Sequence, residues 1–185
     1  MNALASNEIL FALWFFLPAG LANMAPIFAA HLPLLKRWDT PLDLHKKYRG
    51  KQITGPNKTF RGLLGGAVVG GVCALIQTYL WPEYSALIGL PNGSFWIFCF
   101  GALLGLGALL GDAIESFFKR QNNIPSGKSW FPFDQTDYIV GGLIAASLTA
   151  SIDILVYVLI FIIYFGLHIV VSYIGYLIGL KKAPI

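Results

Sequence analysis

Charge is scarce in this chain. Of 185 residues, 13 are Lys or Arg and 9 are Asp or Glu, 12% together, while 56% are hydrophobic. So little polar surface cannot cover a water-soluble domain of this length, and an integral membrane protein is what remains. Cysteine is nearly absent: Cys73 and Cys99 each lie inside an apolar run, which excludes a disulfide framework and reads as two buried free thiols. The three histidines, His31, His45 and His168, have no metal-ligand spacing, and His168 reads as an interfacial or packed residue. A P-loop is excluded because its G-x-x-x-x-G-K-[ST] spacing is missing. There is no internal repeat. The first apolar run has Glu8 ahead of it, no basic residue, and too great a length for an h-region, so no cleavable signal peptide is expected. The net charge of +4 is placed as on a membrane face, which argues against nucleic acid as a partner.

Long hydrophobic runs are what the chain does have. A helix needs about 20 apolar residues to cross the hydrocarbon core. Residues 9–35 form one run, interrupted by Pro18, Pro26 and Pro33. Residues 62–81 and 95–110 form two more. Residues 138–180 would make a helix roughly 64 Å long, about twice the core thickness, so two helices are expected with a turn near residues 149–153, at Ser151 and Asp153. The expectation is an all-α polytopic membrane protein of five transmembrane helices. Residues 36–61 hold eight of the thirteen cations, residues 117–133 three, and Lys181 and Lys182 the rest. The 82–94 connection and the 149–153 turn hold none. By the positive-inside rule the N-terminus is outside and the C-terminus cytoplasmic. Small residues at Gly62, Gly65, Gly66, Gly70 and Gly71, and at Gly101, Gly105 and Gly107, read as helix-packing seams.

Against this apolar background, residues 111–137 concentrate four of the nine acidic residues beside three cations. Charged groups at a membrane face are costly unless paired or used. If the third helix continues past Leu110, then Asp112, Glu115, Ser116 and Lys119 share one face. Two carboxylates and a hydroxyl there suit a hard cation such as magnesium, or, more simply, a solvated helix end with an internal Glu115–Lys119 pair. Asp134 and Asp137 open the next helix, as cap and first-turn acid or as two further metal ligands. Residues 55–62, with Asn57, Lys58, Thr59 and Arg61 where a helix begins, make an anion site or a capped helix with snorkelling cations. Lys128, in a loop rich in Pro and Gly, reaches a phosphate or simply follows the positive-inside pattern. Asn23, beside Pro26, reads chiefly as an interhelical hydrogen-bonding residue.

Taken in order, Ala22-Asn23-Met24-Ala25-Pro26, Pro41-Leu42-Asp43, Lys58-Thr59-Phe60-Arg61-Gly62, Gly111-Asp112, Ser116-Phe117-Phe118-Lys119-Arg120 and Asp134-Gln135-Thr136-Asp137-Tyr138 resemble the CDP-archaeol synthase family, membrane cytidylyltransferases related to CDP-diacylglycerol synthases. The chain departs from that pattern in having Pro56-Asn57 ahead of Lys58-Thr59, where the family carries Asp-Gly, and Gln121-Asn122-Asn123 where further cations are common. The resemblance implies a single cytidylyltransferase domain over residues 1–185, in a cell membrane, with its active site facing the cytoplasm. It implies that a membrane lipid phosphate, of archaeal ether type or phosphatidic acid, attacks the α-phosphorus of CTP to give a CDP-lipid and pyrophosphate. It implies Mg2+ as cofactor on Asp112, Asp134 and Asp137, with Glu115 a further candidate. Catalytic roles fall to Asp112, Lys119, Asp134 and Asp137, and substrate binding to Asn57, Lys58, Thr59, Arg61, Ser116, Arg120 and Lys128. A CTP- or ATP-dependent lipid kinase is the alternative enzyme. A small ion or phosphate transporter is the alternative outside enzymes, although such proteins place ionisable groups near mid-bilayer.

Overall fold

A computed structural model of the chain describes residues 2–33, 35, 37–91 and 93–179, with side chains from residue 7 onward. Lys36, Lys181 and Lys182 lie outside the described residues. The element order is α1 (Asn2–His31), β1 (Lys47–Tyr48), β2 (Lys51–Gln52), α2 (Phe60–Leu80), α3 (Tyr84–Leu87), α4 (Ser94–Gln121), α5 (Phe133–Ser147) and α6 (Ile154–Leu177). Among the described residues, four segments are long and apolar enough to cross a membrane: Asn7–His31, Phe60–Leu80, Ser94–Gln121 and Ile154–Leu177. The 15 residues of α5 reach only about 22 Å. The protein is a mostly helical, multi-pass membrane bundle.

Each helix follows from its residues, with two departures from the sequence expectation. α1 runs unbroken through Pro18 and Pro26. Proline removes one backbone hydrogen bond, a loss that neighbouring helices offset in a membrane bundle. Here Pro18 is fully buried, and Gly62 of α2 lies against Pro26. The second departure is the β1–β2 hairpin, which the all-α reading did not contain. Its turn residues Arg49 and Gly50 both take positive φ, the geometry of a type I′ turn, but Arg49 lacks the Asn or Asp that advertises such a turn in sequence. Two local expectations hold. α4 continues past Leu110 to Gln121. The long apolar run divides at residues 148–153, where Asp153 caps α6 by accepting from the Leu155 N–H at 2.8 Å.

α4 is the central helix, packed on α2 along one seam and on α5 along another, while α1 crosses both α2 and α4 and α6 lies on α1 and α5. The seams are glycine-lined. A Cβ at Gly70 would overlap the Gly101 carbonyl across α2–α4, and a Cβ at Gly111 would overlap the Asp137 carbonyl across α4–α5. Phe15, Phe16, Leu104, Ile139 and Ile160 fill the middle of the core. At one end of the bundle the Ser151 N–H donates to the Ile88 carbonyl at 3.3 Å, joining the two connections that carry no Lys or Arg. At the other end Asn57 Nδ2 donates to Ser126 Oγ at 2.8 Å, and Lys51 Nζ donates to the Gln121 carbonyl at 2.5 Å. The two cation-rich connections therefore meet at one end.

Candidate active site

The charged end is built first by a backbone clamp. Asp43 Oδ2 accepts from the N–H groups of Thr54 and Gly55 at 3.1 and 3.0 Å, and its Oδ1 accepts from His45 N–H at 3.0 Å. Burial works to raise the Asp43 pKa, but the three N–H bonds, aided by the nearby His45, outweigh it and hold the carboxyl below its ordinary value. The clamped strand pairs with the segment ahead of α2: the Leu42 N–H donates to the Lys58 carbonyl at 2.7 Å and the Phe60 N–H to the Thr40 carbonyl at 3.1 Å. Thr59 then caps α2, its Oγ1 accepting from the Gly62 N–H at 3.1 Å. These contacts aim Lys58 at α4, where its Nζ meets Asp112 Oδ2 at 2.5 Å.

The other half of the site comes from α4 and α5. Because Gly111 carries no side chain, α5 comes in against the turn that holds Asp112. Asp112, Glu115 and Asp137 each offer one carboxylate oxygen, and the three atoms lie within 4.8 Å of one another. Glu115 is 7% exposed and its Oε1 has no hydrogen-bond partner. Three carboxylates at this spacing, one with a buried oxygen that accepts no hydrogen bond, fit a hard divalent cation such as magnesium, which prefers all-oxygen ligands. Asp134 stands beside this group and not within it. Its Oδ1 accepts from Lys119 Nζ at 2.6 Å and its Oδ2 from the Trp130 N–H at 2.8 Å. Lys119 Nζ also lies 3.8 Å from Glu115 Oε1. The helix begins at Phe133, with Pro132 at the cap position, so Asp134 is a first-turn residue and not the cap.

Two cavities open on this cluster. The first, about 400 Å³, is lined by Asn57, Lys58, Asp112, Glu115, Ser116, Lys119, Arg120, Lys128 and Asp134, together with Gln135 and the 126–129 loop. The second, about 500 Å³, lies between α1 and α2 and is lined by Asn57, Lys58, Thr59, Arg61, Asp112, Asp134 and Asp137, with Pro26, Ile27 and Leu63 on its apolar side and the Asn23 amide beside them. All twelve residues singled out in the sequence therefore line one cavity or the other. Asn57, Lys58, Asp112, Asp134 and His168 line both. Arg61 reaches back to the Leu35 carbonyl at 3.1 Å, and Arg120 is buried with an unpaired Nε.

Gln135 and His168 are among the lining residues that the sequence reading did not assign to the site. Gln135 is 2% exposed with an unpaired Oε1 beside the first cavity. It sits inside the Asp134–Asp137 segment, and a polar amide between two site carboxylates was its only signal. His168 comes from α6, thirty-one residues beyond Asp137, and nothing local in the sequence points to it.

A membrane bundle with a carboxylate cluster suited to a cation, set among phosphate-sized cationic cavities of which one also has an apolar wall, fits an enzyme that works on phosphate-bearing lipids. The comparisons with known proteins make that specific. The pattern of the CDP-archaeol synthase family matches residues 5–185. The chain is similar to the CDP-archaeol synthase of Pyrococcus horikoshii, 34% identical over 179 residues, covering 96% of this chain and 98% of that one. It is 38% identical to that of Pyrococcus furiosus over 141 residues, 76% of each chain. A solved intramembrane enzyme for archaeal membrane lipids biosynthesis superposes with a TM-score of 0.72 at 26% identity, over 89% of this chain and 94% of that one. The chain belongs to the CDP-archaeol synthase family, and its reaction class is CTP-dependent cytidylyl transfer to a lipid phosphate.

Proposed function

We propose that the lipid is an archaeal-type ether lipid phosphate and that the transfer takes place where the two cavities meet, at Lys58 and Asp112. The observation that carries this reading is the shared wall: both cavities carry charged side chains and meet at the Lys58–Asp112 ion pair, and the second adds an apolar wall of Pro26, Ile27, Ala30, Leu63 and Leu109. CTP occupies the first and the lipid phosphate enters laterally through the second. The named products of the relatives favour the ether lipid over phosphatidic acid.

The residues divide as follows. Lys58 and Arg61, with Asn57 and Thr59, hold the lipid phosphate at the start of α2, where the helix N-terminus adds its own positive end. Lys119, Arg120 and Lys128, with Ser116, neutralise the triphosphate and the departing pyrophosphate. Asp112, Glu115 and Asp137 hold Mg2+, and Asp134 fixes Lys119 between itself and Glu115. When bound, the metal supplies charge neutralisation to the phosphate oxygens. A lipid phosphate oxygen forms the new bond to the α-phosphorus while the bond to the β-phosphate oxygen breaks and pyrophosphate leaves. The attacking oxygen is already anionic, so no strong general base is needed, and alignment and charge stabilisation supply most of the rate. Lys58 neutralises Asp112 in this structure and is placed to turn from it to a phosphate oxygen.

α5 completes five crossings in this reading. It begins at the cation-rich end and finishes at the turn bonded to Ile88, so although short it connects the two ends of the bundle. The cation distribution supports a charged end facing the cytoplasm, with the N-terminus outside and the C-terminus inside a cell membrane. The test is purified protein with Mg2+, α-labelled CTP, and an ether lipid phosphate or phosphatidic acid. Label in the ether lipid with release of pyrophosphate is expected. Preference for phosphatidic acid overturns the lipid assignment. Release of a nucleoside diphosphate without labelled lipid overturns the reaction in favour of a kinase.

A further inference from the structure

His168 is the one Lys, Arg, Asp, Glu or His of α6, whose mean hydropathy of 2.8 is the highest of the four long helices. An ionisable side chain inside a spanning helix faces a cavity or a polar partner. Its ring packs on Tyr138, with centroids 5.5 Å apart, and Tyr138 is itself anchored by donating its hydroxyl to the Tyr164 carbonyl at 3.1 Å. The imidazole is therefore held in place. Beyond the two cavities already described, a third of about 280 Å³ lies between α1 and α6, walled by Leu17, Leu21, Met24, Leu167 and Val171. Among the described residues, His168 alone lines all three. Asn23 and Ile27 link the second to the third, and among the described residues no other links the first to the third.

This placement selects a ligand chemistry. The third cavity is mostly hydrocarbon, with Asn23, Tyr164 and Ser172 its few polar side chains besides His168 and Tyr138, while the first is lined chiefly by charged and polar side chains. A molecule with an anion at one end and hydrocarbon at the other passes between them at residue 168. We infer that His168 is a lipid-phosphate ligand: an imidazole N–H donates to an oxygen of the phosphate or its ester, with the Asn23 amide across the same mouth, and holds that group against Lys58 while the hydrocarbon leaves along α1 and α6. The inference rests on the lateral lipid entry proposed above. It adds a residue to the site, from a helix that contributes no other side chain to the two charged cavities.

The test is steady-state kinetics on the full chain with wild type, His168→Phe and His168→Gln, varying the ether lipid phosphate and CTP separately. His168→Phe keeps a ring against Tyr138 and removes the N–H. It raises the lipid KM about tenfold, the loss of one charge-assisted hydrogen bond, with the CTP KM and the thermal midpoint unchanged. His168→Gln keeps an N–H donor and recovers most of the lipid affinity. An unchanged lipid KM in His168→Phe overturns the inference, as does an equal rise in both KM values with no recovery in His168→Gln. A wild type that labels no lipid would instead overturn the reaction itself, so the two failures are distinct.

Discussion

The two glycine seams of α4 are built alike and used differently. Against α2, Gly66 and Gly70 face Gly101 and Gly105, backbone nearly on backbone, and the residues around them are apolar. Against α5, Gly107 and Gly111 face Gly141 and the Asp137 carbonyl in the same way, but here the seam ends among carboxylates. Close approach of helices is a packing device in the first case. In the second it also sets the distance between Asp112 and Asp137. The same small-residue pattern therefore stabilises one half of the bundle and assembles chemistry in the other.

The comparison can be broken most completely at the cluster itself. Asp112→Asn keeps shape and size and removes a charge aimed at both Lys58 and the proposed cation; label transfer falls on the order of 1000-fold while the protein stays folded by thermal melting in detergent. Wild-type-like turnover would sink the site assignment. Next in size is the seam. Gly111→Ala forces α5 away from α4, and activity falls roughly 100-fold because the reacting groups lose alignment. Gly70→Ala makes the matching clash at the other seam: it lowers stability by about 1–3 kcal/mol, read as a drop in thermal midpoint, and leaves the activity of the folded fraction nearly unchanged. Equal activity losses in the two alanine variants would erase the distinction between the seams. A smaller effect is expected from Lys119→Met, which removes the cation between Glu115 and Asp134; the KM for CTP rises about tenfold with the lipid KM unaffected.

The smallest effect concerns the clamp. The Asp43 pKa is held below its ordinary value of 3.8, so the unfolded chain takes up the proton first as pH falls. Its contribution is fully present above that value and is lost as pH drops through the lower, folded pKa. Proteolysis of residues 44–58 should therefore increase only below about pH 4 in wild type. In Asp43→Asn the same cleavage should be raised modestly at neutral pH. An Asn variant as resistant as wild type at neutral pH would show that the N–H bonds to the carboxylate do not hold the loop.

Much of this was legible because helical periodicity is local. Asp112, Glu115, Ser116 and Lys119 recur on one face at positions three and four apart, and the structure lines one cavity with them. The cap at Thr59 and the division near Ser151 follow from residue types alone. What was not legible depends on which neighbour a residue meets. α1 stays continuous through its prolines because packed helices surround it. Asp134 and Asp137 looked equivalent in sequence. One turn of α5 gives Lys119 to the first and the company of Asp112 and Glu115 to the second. His168 is brought to the site only by the crossing of α6 over α1 and α5.

The central claim is that Asp112, Glu115 and Asp137 form the cation site, with Asp134 serving Lys119 beside it. Manganese binding followed by electron paramagnetic resonance tests it without requiring turnover. The account predicts that Asp112→Asn, Glu115→Gln and Asp137→Asn each weaken binding severely while Asp134→Asn leaves most of it intact. Binding lost in Asp134→Asn and kept in Asp137→Asn would contradict it.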